Sequence, residues 1–150
     1  MTGTFPESED GREQEGAAVF AVMERTAAAT IALGGLLHGM GMGITLAAGT
    51  SMPWWYWAVF MIALSGYETS AALILLGKRA GLVFAAAGPV VGGTLIAAGF
   101  VFPGSGLLCL IPGTYASEIT VPGFWTLVLE PVAVVCSLLV LGYGPGKGRK

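Results

Sequence analysis

Three ionisable side chains, His38, Glu68 and Glu130, lie inside long apolar stretches of the sequence. A charged group at the centre of a lipid bilayer costs roughly 2.5–3.5 kcal/mol on insertion scales, so each of the three needs a partner or a neutral form. Ionisable groups inside a membrane are by default candidates for handling protons, ions or substrates. The sequence therefore indicates an intramembrane polar site as the candidate functional site.

Helical spacing predicts which way these side chains point. The residues about one turn away from each are mostly small or hydroxylated, and bulky Leu, Val and Ile lie mostly on other faces. A stripe that faces lipid would have the opposite composition, so we expect all three side chains to point into a helix bundle. Ser65 on the Glu68 face and Thr126 on the Glu130 face would complete a candidate polar or proton site. The neighbouring residues are Gly34, Gly41 and Thr45 for His38, Ser65 and Ala72 for Glu68, and Thr126, Ala133 and Ser137 for Glu130.

The sequence leaves two interpretations of this site open. In the structural one, both carboxyl groups are wholly or partly protonated and His38 forms a hydrogen bond with one of them. Such contacts between membrane helices contribute only about 0.6 kcal/mol on average. In the functional one, the three groups form a proton or cation path across the bundle, and their titration moves the helices.

Motifs for covalent chemistry, metals and cofactors are not found in the sequence. One histidine and two distant glutamates make an incomplete metal site, and a single histidine excludes a bis-histidine haem. The glycine-rich pieces lie inside apolar runs, where they favour packing and not phosphate binding. Ser65, Ser70 and Ser137 have no nucleophile context. We therefore predict a non-enzymatic protein without catalytic residues, metal or cofactor.

The composition indicates a membrane protein. The chain has 150 residues, of which 55% are hydrophobic and 11% charged, whereas soluble domains carry about 25% charged residues. This shortage of charge indicates that lipid, and not water, surrounds most of the chain. A formal net charge of -2 gives no indication of a nucleic-acid partner, and the length allows one domain.

Hydrophobic runs of about 20 residues predict an all-α, integral membrane four-helix bundle. The clearest run begins on the aromatic belt 54–57 and ends at Lys78 and Arg79, as a membrane-crossing helix does at its two interfaces. Pro89 is expected to kink the third helix. The predicted spans, within a transmembrane domain at 17–142, are about 26–48, 54–76, 82–102 and 124–141.

The flanking segments are polar or rich in turn formers. Residues 1–16 are acidic and too polar to bury a core, which predicts a disordered tail. Residues 17–25 are expected to form a helical lead-in. Residues 103–123 form the long connection between the third and fourth spans, and 143–150 is a short basic tail.

The basic residues predict the orientation in the membrane. Arg25, the Lys78–Arg79 pair and the C-terminal basic residues fall on one side if four spans alternate, and connections 49–53 and 103–123 contain no Lys or Arg. The positive-inside rule then puts both termini in the cytoplasm and 103–123 outside. The prediction is a multi-pass protein of the cell membrane.

Glycines recur every four residues in two of the spans, at Gly35, Gly39 and Gly43 in the first and at Gly88 and Gly92 in the third. Small residues at this spacing let two helices approach closely. We therefore expect the first and third helices to pack together through their small faces.

The two cysteines do not suggest a disulfide framework. Cys136 falls in the middle of an apolar run, where a thiol behaves as a small hydrophobic group, and Cys109 lies in the long connection.

Two functional hypotheses remain. The first is a packing or accessory subunit of a homo- or hetero-oligomeric membrane complex, whose partners are the bilayer and other membrane helices. Abundant small residues and the lack of catalytic motifs favour it. The second is a small proton- or cation-coupled transporter or channel that uses Glu68, Glu130 and His38, as the expected inward acidic pair suggests.

Overall fold

The computed structural model describes residues 9–49, 51, 53–102, 104–105, 114–115, 118–119 and 121–145. It contains four helices, and the regular β structure within these ranges is one antiparallel pair of two-residue strands. The predicted all-α four-helix class is confirmed. The elements are α1 (Glu9–Ala47), α2 (Trp54–Leu75), α3 (Arg79–Val101), β1 (Thr114–Tyr115), β2 (Glu118–Ile119) and α4 (Val121–Tyr143).

All four helices are long and apolar enough to cross a membrane. The helices α2, α3 and α4 have 22, 23 and 23 residues, which at about 1.5 Å per residue gives roughly 33–35 Å. This length matches a hydrocarbon core of about 30 Å. The helix ends lie within three residues of the predicted ones, except at the start of α1.

The helix α1 begins at Glu9, so it includes residues 9–16, which composition predicts to be a disordered tail. Extending a helix that has already formed costs much less than starting one, so the apolar part of α1 can carry the helix outward. Acidic residues near the N-terminus favour this extension through the helix dipole. Residues 1–8 of the predicted tail lie outside the described residues.

The helix α4 also begins early, at Val121, so that the last three residues of the predicted loop 103–123 are helical. Pro122 is accommodated because a proline in the first turn lacks only an N–H group that has no partner there. Most of the predicted loop, including Cys109, and residues 146–150 of the basic tail lie outside the described residues.

The helices form a ring in chain order. The helix α1 packs against α2 and α4, and α3 packs against the same two helices from the opposite side. The first and third helices lie across the diagonal of the bundle and touch only slightly, so the expected packing through their glycine faces is wrong. Short connections at 48–53 and 76–78 make consecutive helices antiparallel neighbours, and this outweighs the matching glycine patterns.

Apolar side chains pack in two clusters, one that joins all four helices and one that joins α1 to α2. One cluster of small and branched residues packs α1, α2, α3 and α4 together around Ala27, Ile31 and Ala133. A smaller cluster of Met42, Tyr56 and Phe60 packs α1 on α2 toward the other end. His38 of α1 and Glu130 of α4 lie between these two clusters.

The turn between α2 and α3 brings these helices closest together. Gly77 has a positive φ of 69° and ends α2, with Lys78 N–H donating to the Leu73 carbonyl at 2.8 Å. A Cβ atom on Gly81 would lie 2.6 Å from the Ile74 nitrogen, so only glycine allows this approach. Arg79 then donates to the Leu141 carbonyl at 2.9 Å, which joins the start of α3 to the end of α4.

Candidate functional site

A cluster of three polar side chains from three helices lies in the middle of the bundle. His38 Nε2 is 3.0 Å from Glu130 Oε1 and 3.2 Å from Tyr67 Oη. The Tyr67 hydroxyl donates to the same carboxylate oxygen of Glu130. His38 and Glu130 are each only 5% exposed. We call His38, Tyr67 and Glu130 the triad.

Local sequence explains how the triad is assembled. Gly34 has no side chain where the Tyr67 ring passes: a Cβ atom there would lie 3.3 Å from the ring. This lets the Tyr67 ring meet the His38 ring edge to face, with centroids 5.1 Å apart. Pro131 directly follows Glu130 inside α4, and a proline at this place removes one backbone hydrogen bond of that helix.

A cavity of about 490 Å³ lies beside the triad. The triad and the hydroxyls of α2 give it polar groups, and the rest of its wall is apolar or glycine. Residues of its wall on α2 and α3 are also exposed at the protein surface, so the cavity opens between these two helices. The wall consists of Ile31, His38, Val59, Ala63, Ser65, Gly66, Tyr67, Thr69, Ser70, Phe84, Gly88, Pro89, Val91, Gly92, Leu95, Ile96 and Glu130.

The charge of this cavity depends on protons. His38, Tyr67 and Glu130 are the ionisable groups in its wall, and α3 brings none. With His38 neutral and Glu130 ionised, the wall carries one negative charge. A proton on either group, or a bound cation, would make the site neutral overall.

The structure brings His38 and Glu130 together but leaves Glu68 outside. Glu68 is exposed, and its Oε1 atom lies next to α1, 2.9 Å from where a Cβ atom on Gly35 would be. No hydrogen bond or ion pair to Glu68 occurs among the described residues. The expectation that Glu68 points inward is therefore wrong for the single chain.

The reason lies in the two faces of α2. Its buried residues are Tyr56, Phe60, Ser70, Ala71 and Ile74. The row of Ser65, Glu68 and Ala72, which sequence reasoning assigns to the core, lies on the exposed face. Small residues mark close packing, but they do not tell whether the partner is the same bundle or another protein.

The two predicted hydroxyl residues of the site have different positions. Ser65 is exposed, lines the cavity opening and donates to the Met61 carbonyl at 2.7 Å. Thr126 is buried one turn before Glu130 and donates to the Gly123 carbonyl at 2.6 Å. Thr126 does not line the cavity.

Of the five predicted packing glycines, only Gly35 lies close to another helix, where a Cβ atom would be 3.1 Å from the Tyr67 Cβ. A Cβ atom on Gly39, Gly43, Gly88 or Gly92 would meet no atom within 4 Å. Gly88 and Gly92 line the cavity instead of packing on α1.

Sequence reasoning missed Tyr67. Tyrosine normally lies at the membrane interface, where its hydroxyl reaches water. Its position near the middle of an apolar span is a signal that the hydroxyl has a polar partner inside the protein.

Neither a disulfide nor a cluster of metal-ligand residues occurs in the part of the chain that the structure describes. Cys136 is a free, half-buried thiol packed against the apolar core. Within the described part of the chain, no three His, Cys, Asp or Glu side chains come together as they would around a metal ion.

Comparison with known proteins gives no match among family models, curated proteins or solved structures.

Proposed function

We propose that this chain is a multi-pass protein of the cell membrane, crossed by all four helices, with both termini in the cytoplasm. Four helices of spanning length and hydropathy support this. The orientation rests on the distribution of Lys and Arg. The hydrogen bond from Arg79 to the Leu141 carbonyl agrees with it, since the basic 78–79 turn and the end of α4 lie at the same end of the bundle.

Its function, in this proposal, is proton-coupled transport of a small solute. The observation that carries the proposal is the position of the triad: a buried carboxyl–imidazole pair forms part of the wall of a cavity of about 490 Å³, about halfway along the helices. A purely structural pair would be enclosed by packed side chains. Here it borders a space large enough for a small molecule.

The triad also supplies a reason for coupling. A buried carboxylate without a compensating charge is costly, so a proton bound at the triad would offset the charge of Glu130. A solute that changes the hydrogen bonds or the charge at the triad changes how tightly that proton is held. Solute and proton binding are then linked, as coupled transport requires.

Reconstitution in liposomes with an internal pH dye tests this function. We expect a proton flux, driven by a solute gradient, that disappears in Glu130→Gln. Glu68→Gln is the matched control, because it makes the same chemical change on the same bundle but outside the cavity. An unchanged flux in Glu130→Gln, or no solute-dependent flux under any gradient, would reject the proposal.

A second candidate function is that of a non-enzymatic subunit which packs against another membrane protein or its own copy. The specific observation in its favour is the exposed face of α2, where Glu68 lies among the small exposed residues Ser65 and Ala72. A carboxyl group is costly against acyl chains, so a covering helix with polar groups would stabilise it.

This second candidate is tested by the mass of the purified protein in detergent, measured by light scattering. We expect an assembly that Ala72→Leu weakens, since the larger side chain would prevent close approach. Val128→Leu, on an exposed and bulkier face of α4, is the control. A monomer in mild detergent that purifies without a partner would reject the subunit function.

A further inference from the structure

We infer that the cavity binds a monovalent organic cation with an apolar body, and that this cation exchanges with the proton held by the triad. This inference rests on the proposed transport function and names the chemical class of its solute.

The charges around the cavity require a positive partner. His38 comes from α1, Tyr67 from α2 and Glu130 from α4, whereas α3 contributes Pro89, glycines and apolar side chains. No Lys or Arg lines the cavity, and Glu68 lies outside it. One negative charge is therefore balanced either by one proton or by one monovalent cation, and the two exclude each other.

The donors of the triad argue against an anion. The Tyr67 hydroxyl donates to Glu130 Oε1, and His38 Nε2 lies 3.0 Å from the same atom. Both groups are thus already engaged with the carboxyl group. An anion in the cavity would face a carboxylate without any free cationic side chain to compensate.

The size and polarity of the cavity argue against a bare inorganic ion. Hard metal ions take six or more oxygen ligands, whereas this wall has one carboxyl group and a few hydroxyls. A cavity of about 490 Å³ suits a molecule of drug-like size. Apolar residues of α3, including Phe84 and Leu95, would contact the apolar body of the ligand, and aromatic rings also attract organic cations.

The opening between α2 and α3 agrees with an amphiphilic ligand. Ser65 and Thr69 from α2 and Phe84 and Val91 from α3 line the cavity and are exposed at the surface. In a membrane-spanning bundle this opening faces the acyl chains. A ligand with an apolar body is concentrated there, and its charged group would meet the hydroxyls before reaching Glu130.

Tetraphenylphosphonium and tetraphenylborate test the inference, because these ions share size and shape but have opposite charge. Binding to the purified full-length protein in detergent is measured by equilibrium dialysis, with a pH indicator reporting proton release. We expect at least about tenfold tighter binding of the phosphonium and release of about one proton per bound cation. As the pH rises, the Kd of the phosphonium should fall by up to about tenfold per pH unit over the range in which the free site still holds its proton.

Variants locate the binding. Glu130→Gln should lose both phosphonium binding and proton release, and Gly92→Leu should weaken binding by filling the cavity. Glu68→Gln should bind as the unchanged protein does. Should Glu130→Gln fail to fold, two measurements on the unchanged protein still test the inference: the comparison of the two ions and the proton release.

Equal binding of the two ions, cation binding without proton release, or an equal loss in Glu68→Gln and Glu130→Gln would overturn the inference. A Glu130-dependent proton flux in liposomes without phosphonium binding would overturn the solute class and leave the transport function standing. No flux together with no binding would reject both.

Discussion

At the scale of single residues, the carboxyl group of Glu130 is the centre of the site because the Tyr67 hydroxyl donates to its Oε1 atom and His38 Nε2 lies 3.0 Å from the same atom. Its other neighbours on α4, Thr126, Ala133 and Ser137, are all buried. The arrangement joins α1, α2 and α4 through polar contacts about halfway along the helices, beside the cavity.

Tyr67→Phe tests the contribution of one of these donors. The substitution removes the hydroxyl but keeps the ring that lies against Gly34. We expect a loss of about 0.6–1.7 kcal/mol in the free energy of unfolding, from the average to the largest contribution of a polar contact between membrane helices. The measurement is denaturant unfolding in mixed micelles. Tyr143→Phe, at the exposed end of α4, is the control, and equal effects of the two variants would contradict a role for the Tyr67 hydroxyl in stability.

Ser137→Ala tests the opposite case, a buried polar group without a partner. The Ser137 hydroxyl has no hydrogen-bond partner among the described residues, although the side chain is fully buried. Because a buried unsatisfied hydroxyl is costly, we expect the alanine variant to be as stable as the unchanged protein or about 1 kcal/mol more stable. Thr126→Val is the comparison, since it loses the bond to the Gly123 carbonyl. Thermal unfolding that shows Ser137→Ala to be the more damaging change would reject this account.

The sequence predicts part of the site for a clear physical reason. His38 and Glu130 stand out because ionisable groups are rare in apolar spans, and the structure brings them together. Glu68 stands out equally, but its direction could not be predicted, because small residues occur on both the buried and the exposed face of α2. Tyr67 was missed because an aromatic ring is common in apolar helices, so its residue type alone does not indicate a polar site.

At the scale of the helices, the approach of α3 to α2 depends on Gly81. A Cβ atom there would lie 2.6 Å from the Ile74 nitrogen and 2.7 Å from the Ser70 oxygen, both backbone atoms that cannot move aside. We expect Gly81→Ala to lower the free energy of unfolding by about 1–3 kcal/mol through overpacking. Unfolding in mixed micelles measures it.

Gly43→Ala is the matched control for this prediction. A Cβ atom on Gly43 meets nothing within 4 Å, and alanine is favoured over glycine in a helix by about 0.5–1 kcal/mol. The control should therefore be neutral or stabilising in the single chain. Similar losses for the two variants would show that the Gly81 contact is not what matters.

The helix ends and the helix neighbours differ in how well the sequence predicts them. The ends follow from the length of each apolar run and from turn residues such as Gly77, so the prediction is close for α2, α3 and α4. The neighbours depend on which surfaces meet, and a glycine pattern indicates only that some backbone can come close. For this reason the predicted pairing of Gly35–Gly43 with Gly88–Gly92 failed, and the approach at Gly81 was not anticipated.

At the scale of the whole molecule, the proposed orientation puts the short connections at opposite membrane surfaces. The 76–78 turn carries the basic residue Lys78 and lies in the cytoplasm in this scheme, whereas connection 49–53 lies outside. The cavity, between α2 and α3, would then be open to the bilayer, and the cluster around Ala27 would pack all four helices together on its cytoplasmic side. A solute with an apolar body would therefore reach the triad from the bilayer, through the opening between α2 and α3.

Labelling single cysteines in intact cells tests this orientation. In a background of Cys109→Ser and Cys136→Ala, we expect Ser51→Cys to react with a membrane-impermeant maleimide and Lys78→Cys to react only after the membrane is permeabilised. Both positions are exposed in the structure, so a difference in labelling reports the side of the membrane and not burial in the protein. Each variant in permeabilised cells is its own control for reactivity.

Labelling of both positions in intact cells, or of Lys78→Cys alone, would contradict the orientation. The first outcome would also contradict the crossing of the bilayer by α2, the helix that carries Tyr67 to the triad.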